Sequence, residues 1–326
     1  RDEVLSVLGS PDIETQRDRA QTLFVTNYTE DRKGNVIPAA SLWVNSDYPY
    51  KNETIDSLAF NYFAESYLFD GYDSSSTARI QKWLNDKTRG LLEDAVDGVE
   101  LTPGTILNIC TTLYFNGKWY SEFNDKMTEE MTFHSPEGDI QTDFMYKKSD
   151  SSLYLGSNFT AVVHSFENNN GSMYFILPNE DAAVDDVLAS DEYLDFVFNA
   201  QLGYEFDDYY AIVHERIPKF DIQSDIFLND ALENLGISEA FADDGDFSNL
   251  IPEDYQVSIG KVQHAARIKI DEEGCEAAAF VVEPAVGAGP YTPPPEEVYF
   301  TADRPFIIVI KSNTNQPLFM GVVNNP

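Results

Sequence analysis

The sequence predicts an α+β architecture, on three observations. Helical patterns come first and strand patterns dominate afterwards. No strand–helix–strand alternation of the parallel kind runs through the chain. Hydrophobic residues make up 43% and aromatic residues 13% of 326 positions, the balance of a β-rich globular protein with a large core.

The elements follow in order. "RDEVLSVLG" sets Val4, Leu5 and Leu8 on one helical face and stops at Gly9. "STARIQKWLNDKTRGLLEDAV" carries Ile80, Trp83, Leu84, Leu91 and Leu92 at helical spacing, with Ser76 or Thr77 as N-cap. "TILNICTTLYFNGKW" is apolar on both faces, Leu107, Ile109, Leu113 and Phe115 on one and Ile106, Cys110 and Tyr114 on the other. It is therefore expected as a central strand covered on two sides. "FTAVVHSFEN", "GSMYFILP" and "DYYAIVHERIPKF" read as strands between Asn/Gly/Asp-rich turns. "SDIFLNDALENLGI" is a short amphipathic helix ended by Gly236, and "YQVSIGKVQHAARIKID" returns to strand. "RPFIIVIKS" and "QPLFMGVVNNP", joined through Asn313-Thr314-Asn315, are apolar enough to belong to the core. No linker or internal repeat divides the chain, so a single domain over 1–326 is expected. It opens already helical in character, and an upstream segment is expected to be missing.

Charge excludes some functions. With 56 acidic and 21 basic residues the formal charge is −35, which repels phosphate backbones and anionic membranes. It serves solubility first, and steering of a basic partner second. No apolar run is long enough to span a membrane. Cys110 and Cys275 form neither a disulfide framework nor a metal or redox motif.

No residue pattern in the chain points to catalytic chemistry. The four histidines, His134, His164, His214 and His264, show no nucleophile or metal-ligand spacing. His264 reads as a satisfied structural histidine in a strand. "DDGDFSNLIPED" lacks the alternating ligands of a calcium loop and reads as a solvated turn. Asn27, Asn52, Asn158 and Asn170 match the glycosylation pattern, which matters only in a eukaryotic secretory cell. No catalytic residue, metal or cofactor is assigned.

Several segments together carry a family resemblance. "TLYFNGKW", with Trp119, "SMYFILP", "IPKFDIQSDIFLNDALENLGISEAF" followed by "DFSNL", "VSIGKVQHAARIKIDEEGCEAAA", "ADRPFIIVI" and "PLFMGVVNNP" occur in the order found in the serpins. The chain resembles that family over most of its length, except where the family's first helices would lie. Its turn-rich composition suggests a bacterial, exported member. It departs from the family pattern at Gln81 and Thr111, where Asn is usual, and at Cys275, where Thr or Ser is usual.

The resemblance implies a serpin fold: three mostly antiparallel sheets, eight to nine helices and an exposed reactive-centre loop. It implies a secreted, monomeric suicide inhibitor of a serine protease. The cleaved loop enters the central sheet as a strand and carries the acylated protease with it. Residues 272–295 are then hinge and loop, with Glu272, Glu273, Gly274, Cys275, Glu276, Ala277, Ala278 and Ala279 as the hinge. Trp119, Thr111 and His264 mark the region where the sheet opens. Counting from Glu272 puts the scissile bond at Ala288–Gly289, with Val286 and Tyr291 as alternatives. A small aliphatic residue before the bond suits an elastase-like protease with a shallow specificity pocket. By alternation Cys275, Ala277, Ala279 and Val281 face inward on insertion, and Glu276, Ala278 and Phe280 outward. Glu283 inward and Pro284 in the ladder fit less well. They leave open a non-inhibitory serpin, a binding or carrier protein whose loop is cleaved as a plain substrate.

Overall fold

The computed structural model describes residues 1–30, 34–71, 73, 75–90, 101, 105–167, 171–199, 209–242, 245–252, 255–275 and 296–326. In chain order they form α1 (Asp2–Val7), α2 (Ile13–Asn27), β1 (Thr29–Glu30), β2 (Gly34–Asn45), α3 (Asn52–Tyr62), β3 (Glu65–Phe69), α4 (Ser75–Lys87) and β4 (Leu107–Lys118). After a short 3-10 turn come β5 (Glu129–Ser135), β6 (Gly138–Leu155), β7 (Phe159–Ser165), β8 (Ser172–Pro178), α5 (Val184–Leu188), α6 (Asp191–Phe198), β9 (Tyr209–Pro218) and β10 (Phe220–Phe227). The last elements are α7 (Asn229–Asn234), β11 (Ile259–Ile270), β12 (Gly274–Cys275), β13 (Glu297–Thr301), β14 (Phe306–Lys311) and β15 (Pro317–Val323).

One sheet runs β1-β2-β4-β11-β10, with β3 on β2 and β12 on β4. The other runs β13-β9-β6-β7-β8-β14-β15, with β5 on β6. Its long strand β6 pairs with β9 from Phe144 to Leu153 and with β7 at Tyr154 and Leu155, so it joins two wings. Counting the wings separately gives three sheets. Pairing is mostly antiparallel, with parallel pairs β2·β3, β4·β11 and β9·β13. Among the described residues there are seven α-helices, against the eight to nine that the resemblance implied.

Chain contacts divide the structure into two compact units. The first comprises 1–28, 36–114 and 223–267. Its sheet is apolar on both faces because its strands alternate between two clusters. Trp43 and Cys110 pack with Ile80, Trp83 and Leu84 of α4, while Leu42, Val44 and Leu107 pack with Leu250, Ile251 and Val257. Ile106, just ahead of β4, joins the Leu107 cluster, not the Cys110 face expected for it. The helix α4 begins earlier than expected, at Ser75, so neither Ser76 nor Thr77 is its cap; ahead of it the Asp73 carboxylate accepts the Ser75 N–H at 2.8 Å. Ser76 lies inside the first turn, its hydroxyl donating to Asp70 O at 3.0 Å, and Thr77 accepts from Leu101 N. Leu91 and Leu92 lie outside the described residues. Gly9 and Gly236 end α1 and α7 at φ +57° and +101°, conformations that favour glycine.

The second unit comprises 29–35, 115–222 and 268–326. Phe159, Ile176, Phe196, Ile307 and Val309 form the centre of one of its cores, contributed by β7, β8, α6 and β14. Of the two tail strands, β14 is buried throughout and pairs with both β8 and β15, whereas β15 is half-buried along most of its length and exposes Met320.

Candidate functional site

The candidate site begins where β4 changes partner. From Leu107 to Thr112 it pairs in parallel with β11, up to Thr112↔Ala265. Farther along, Gly117 and Lys118 pair in antiparallel fashion with Cys275 and Gly274 of β12. Between Ile270 and Gly274 the chain reverses through a tight turn. Asp271 N–H donates to Gly274 O at 3.0 Å, and the Asp271 side chain accepts the N–H groups of Glu273 and Gly274 at 3.0 and 3.2 Å. A carboxylate folding back on its own turn is the common use of Asp at a chain reversal.

Gly274 is needed here for two reasons. Its φ is +144°, and a Cβ at this position would lie 2.3 Å from Gly117 O. Cys275 follows buried, 3% exposed, its thiol 3.7 Å from Phe115 O. A thiol tolerates this burial as a small hydrophobe.

Segment 119–123 clamps the turn through its backbone and one indole. Trp119 Nε1–H donates to Asp271 O at 3.0 Å, Phe123 N–H to Glu272 O at 2.9 Å and Trp119 N–H to Glu273 O at 3.0 Å. Three consecutive carbonyls of the turn are thus held. The Glu272 carboxylate, 13% exposed, receives Lys219 Nζ at 2.9 Å and the Thr128 hydroxyl at 2.6 Å. Burial pushes its pKa upward, but these donors outweigh that and hold it below the ordinary glutamate value. Burial and the Glu273 charge push the neighbouring Glu122 up.

Trp119 lies stacked on Phe166, ring centroids 4.8 Å apart, and is 1% exposed. The other two residues expected at the opening of the sheet, Thr111 and His264, belong to the first unit and meet each other at 3.2 Å, Oγ1 to Nδ1. Burial lowers the His264 pKa, so the neutral ring is favoured and can accept the threonine hydroxyl. His264 is thereby a satisfied strand histidine. Burial pushes the Cys110 thiol up to about 12, which leaves it unreactive.

Of the expected hinge, Glu272, Glu273, Gly274 and Cys275 are brought together with Trp119. Glu276, Ala277, Ala278 and Ala279 lie outside the described residues, as do Val286, Ala288, Gly289 and Tyr291. Sequence reasoning missed Phe123, Thr128 and Lys219 as partners of the turn. Lys219 stood in the "IPKF" motif, but its ion pair spans more than fifty positions, and no local pattern announces that. Among the described residues no group of three or more His, Cys, Asp or Glu is set to hold a metal ion. No described helix is long and apolar enough to cross a membrane.

Comparison with known proteins agrees on the family. A serpin-like protein of Methanosarcina acetivorans is 32% identical over 296 residues, covering 88% of this chain and 67% of the relative. Serpin-Z2A of Triticum aestivum is 28% identical over 347 residues, covering 100% and 84%. Among solved structures, the thermophilic serpin tengpin in its native state is 24% identical with a TM-score of 0.84, covering 100% of this chain and 82% of tengpin. Human thyroxine-binding globulin is 22% identical with a TM-score of 0.81, covering 100% and 85%. The family model described as serpin (serine protease inhibitor) matches residues 1–326, and the chain belongs to that family.

Proposed function

We propose that residues 1–326 act as one serpin domain that inhibits a serine protease as a suicide substrate, with 272–295 as hinge and reactive-centre loop. The observation that carries this reading is the pairing of Gly274 and Cys275 with β4. The hinge starts as a strand of the required direction, antiparallel to β4, while β4 and β11 are parallel to each other. A strand extending β12 would continue down β4 in the same register. Ala277 would then meet Phe115, Ala279 Leu113 and Val281 Thr111. In that register Cys275, Ala277 and Ala279 would share one face of the strand, and Cys275, the described one of them, is buried.

In this reaction the protease serine attacks the Ala288 carbonyl, the Gly289 amine leaves, and the loop remains as an acyl ester. Insertion then removes the ester from its catalytic setting before water can hydrolyse it. The intact fold is held by kinetics above the strand-complete one. Ala288 points to a protease with a shallow aliphatic pocket; Val286 and Tyr291 are the alternative cleavage positions. We further propose that the protein acts outside the cell as a monomer.

One observation favours a second reading. In the same register Glu283 would meet Ile109 and Pro284 would meet Asn108, both on β4, where a carboxylate and a missing N–H are costly. Insertion that halts there would leave a carrier-like protein cleaved as a plain substrate. Incubation with an elastase-like serine protease followed by a denaturing gel separates the two. A band that survives denaturation, with the mass of the protease plus residues 1–288, is the expected result. A clipped chain beside fully active protease would sink the inhibitory reading.

A further inference from the structure

A hydrogen-bonded histidine–glutamate pair lies buried behind the clamp, and neither the family match nor the hinge chemistry accounts for it. His164 on β7 and Glu215 on β9 meet at 2.6 Å, Nε2 to Oε2, with side chains 7% and 2% exposed. Burying such a pair brings little net stability compared with apolar residues of the same size, so its presence calls for a positional role. The His164 ring sits 5.6 Å from Trp119 and 5.0 Å from Phe123, centroid to centroid. These two residues supply all three donors to the carbonyls of Asp271, Glu272 and Glu273. Phe175 closes another side at 5.8 Å. Lys147 on β6 completes the arrangement. Its ammonium lies 5.3 Å from the Phe123 ring centroid, donates to Ser121 O at 2.6 Å and feels the Glu215 charge.

We propose that His164 and Glu215 are positioning residues for loop insertion: the pair fixes the imidazole between Trp119 and Phe123 and so sets the strength of the clamp on the hinge turn. The direction of the hydrogen bond matters. Glu215 can only accept when ionised, so it holds Nε2 as the donor and locks the ring about its Cβ–Cγ bond. An apolar side chain of similar volume would fill the space without fixing an orientation. The clamp then tunes how readily the seeded strand β12 lengthens. Its consequence for inhibition rests on the function proposed above; the clamp itself does not.

The test is amide hydrogen exchange in the intact chain and in His164→Leu, Glu215→Leu, the double Leu variant and Glu215→Gln. Trp119 and Phe123 amides report the clamp, and Tyr174 and Ile176 amides, in the β7·β8·β14 ladder, report the unit as a whole. Exchange at Trp119 and Phe123 is expected to rise about tenfold or more in both Leu single variants and in the double variant, with the β8 amides within about twofold of wild type. Glu215→Gln, which still accepts from His164, should restore the clamp to within about threefold. Should a single Leu variant fail to fold around its unpaired partner, the double variant decides, since it buries no lone charge. Unchanged clamp amides, or an equal rise at clamp and β8 amides, would overturn the proposal. Absence of a covalent complex with wild-type protein would sink the inhibitory reading and leave this exchange contrast standing.

Discussion

Gly274 concentrates the steric argument at the level of single residues. Its positive φ and the 2.3 Å approach of Gly117 O leave no room for a side chain. Gly274→Ala is expected to cost about 2 kcal/mol, measured as a fall in the denaturant midpoint, because strain and overlap act together. Lys219→Met tests the neighbouring charge. The Glu272 pKa is lowered in the folded chain, so its contribution is present above the ordinary value of 4.5 and is lost as pH falls through the lowered one. Removing Lys219 should reduce stability by about 1 kcal/mol at pH 7, the pair being partly exposed, and flatten the acid-range slope. An unaltered pH–stability curve in that variant would contradict the assignment.

Elements differ in how much their sequences reveal. The "KVQHAARIKID" run announced β11, because alternation is a local signal; Gly274 and Cys275 read only as hinge residues, and their pairing with β4 as β12 was not legible. The two-faced apolar pattern of β4 likewise announced a central strand, and the structure gives it partners on both sides. Partnership across strands was not legible. His164 and Glu215 are separated by 51 positions, and each reads as an ordinary strand residue until β7 and β9 are placed. The start of α4 was placed late, since "DSSST" offers several competing starts and the structure sets Ser76 and Thr77 inside the helix. At this scale the β4·β11 ladder carries its own prediction. The His264 pKa is lowered from 6.5, so the folded state binds fewer protons, and stability should decline as pH falls below 6.5 toward the lowered value. His264→Gln should remove that part of the slope in melting curves taken between pH 7 and 5.

For the whole molecule, charge and loop chemistry set the expectations. A formal charge of −35 should speed encounter with a cationic protease and leave a signature in salt. The association rate is expected to fall about tenfold between 50 and 500 mM salt, as steering is screened. A rate independent of salt would leave solubility as the only role of the acidity. The central claim is that β12 is the first pair of residues of a strand the fold is built to complete. Its most direct test is to cut the loop between Val286 and Tyr291 with a protease, keep the pieces together, and compare thermal unfolding with the intact chain. A midpoint raised by about 10 °C or more, with the cleaved chain resisting denaturant that unfolds the intact one, is the predicted result. An unchanged midpoint would mean that the strand does not enter the sheet, and would contradict the account.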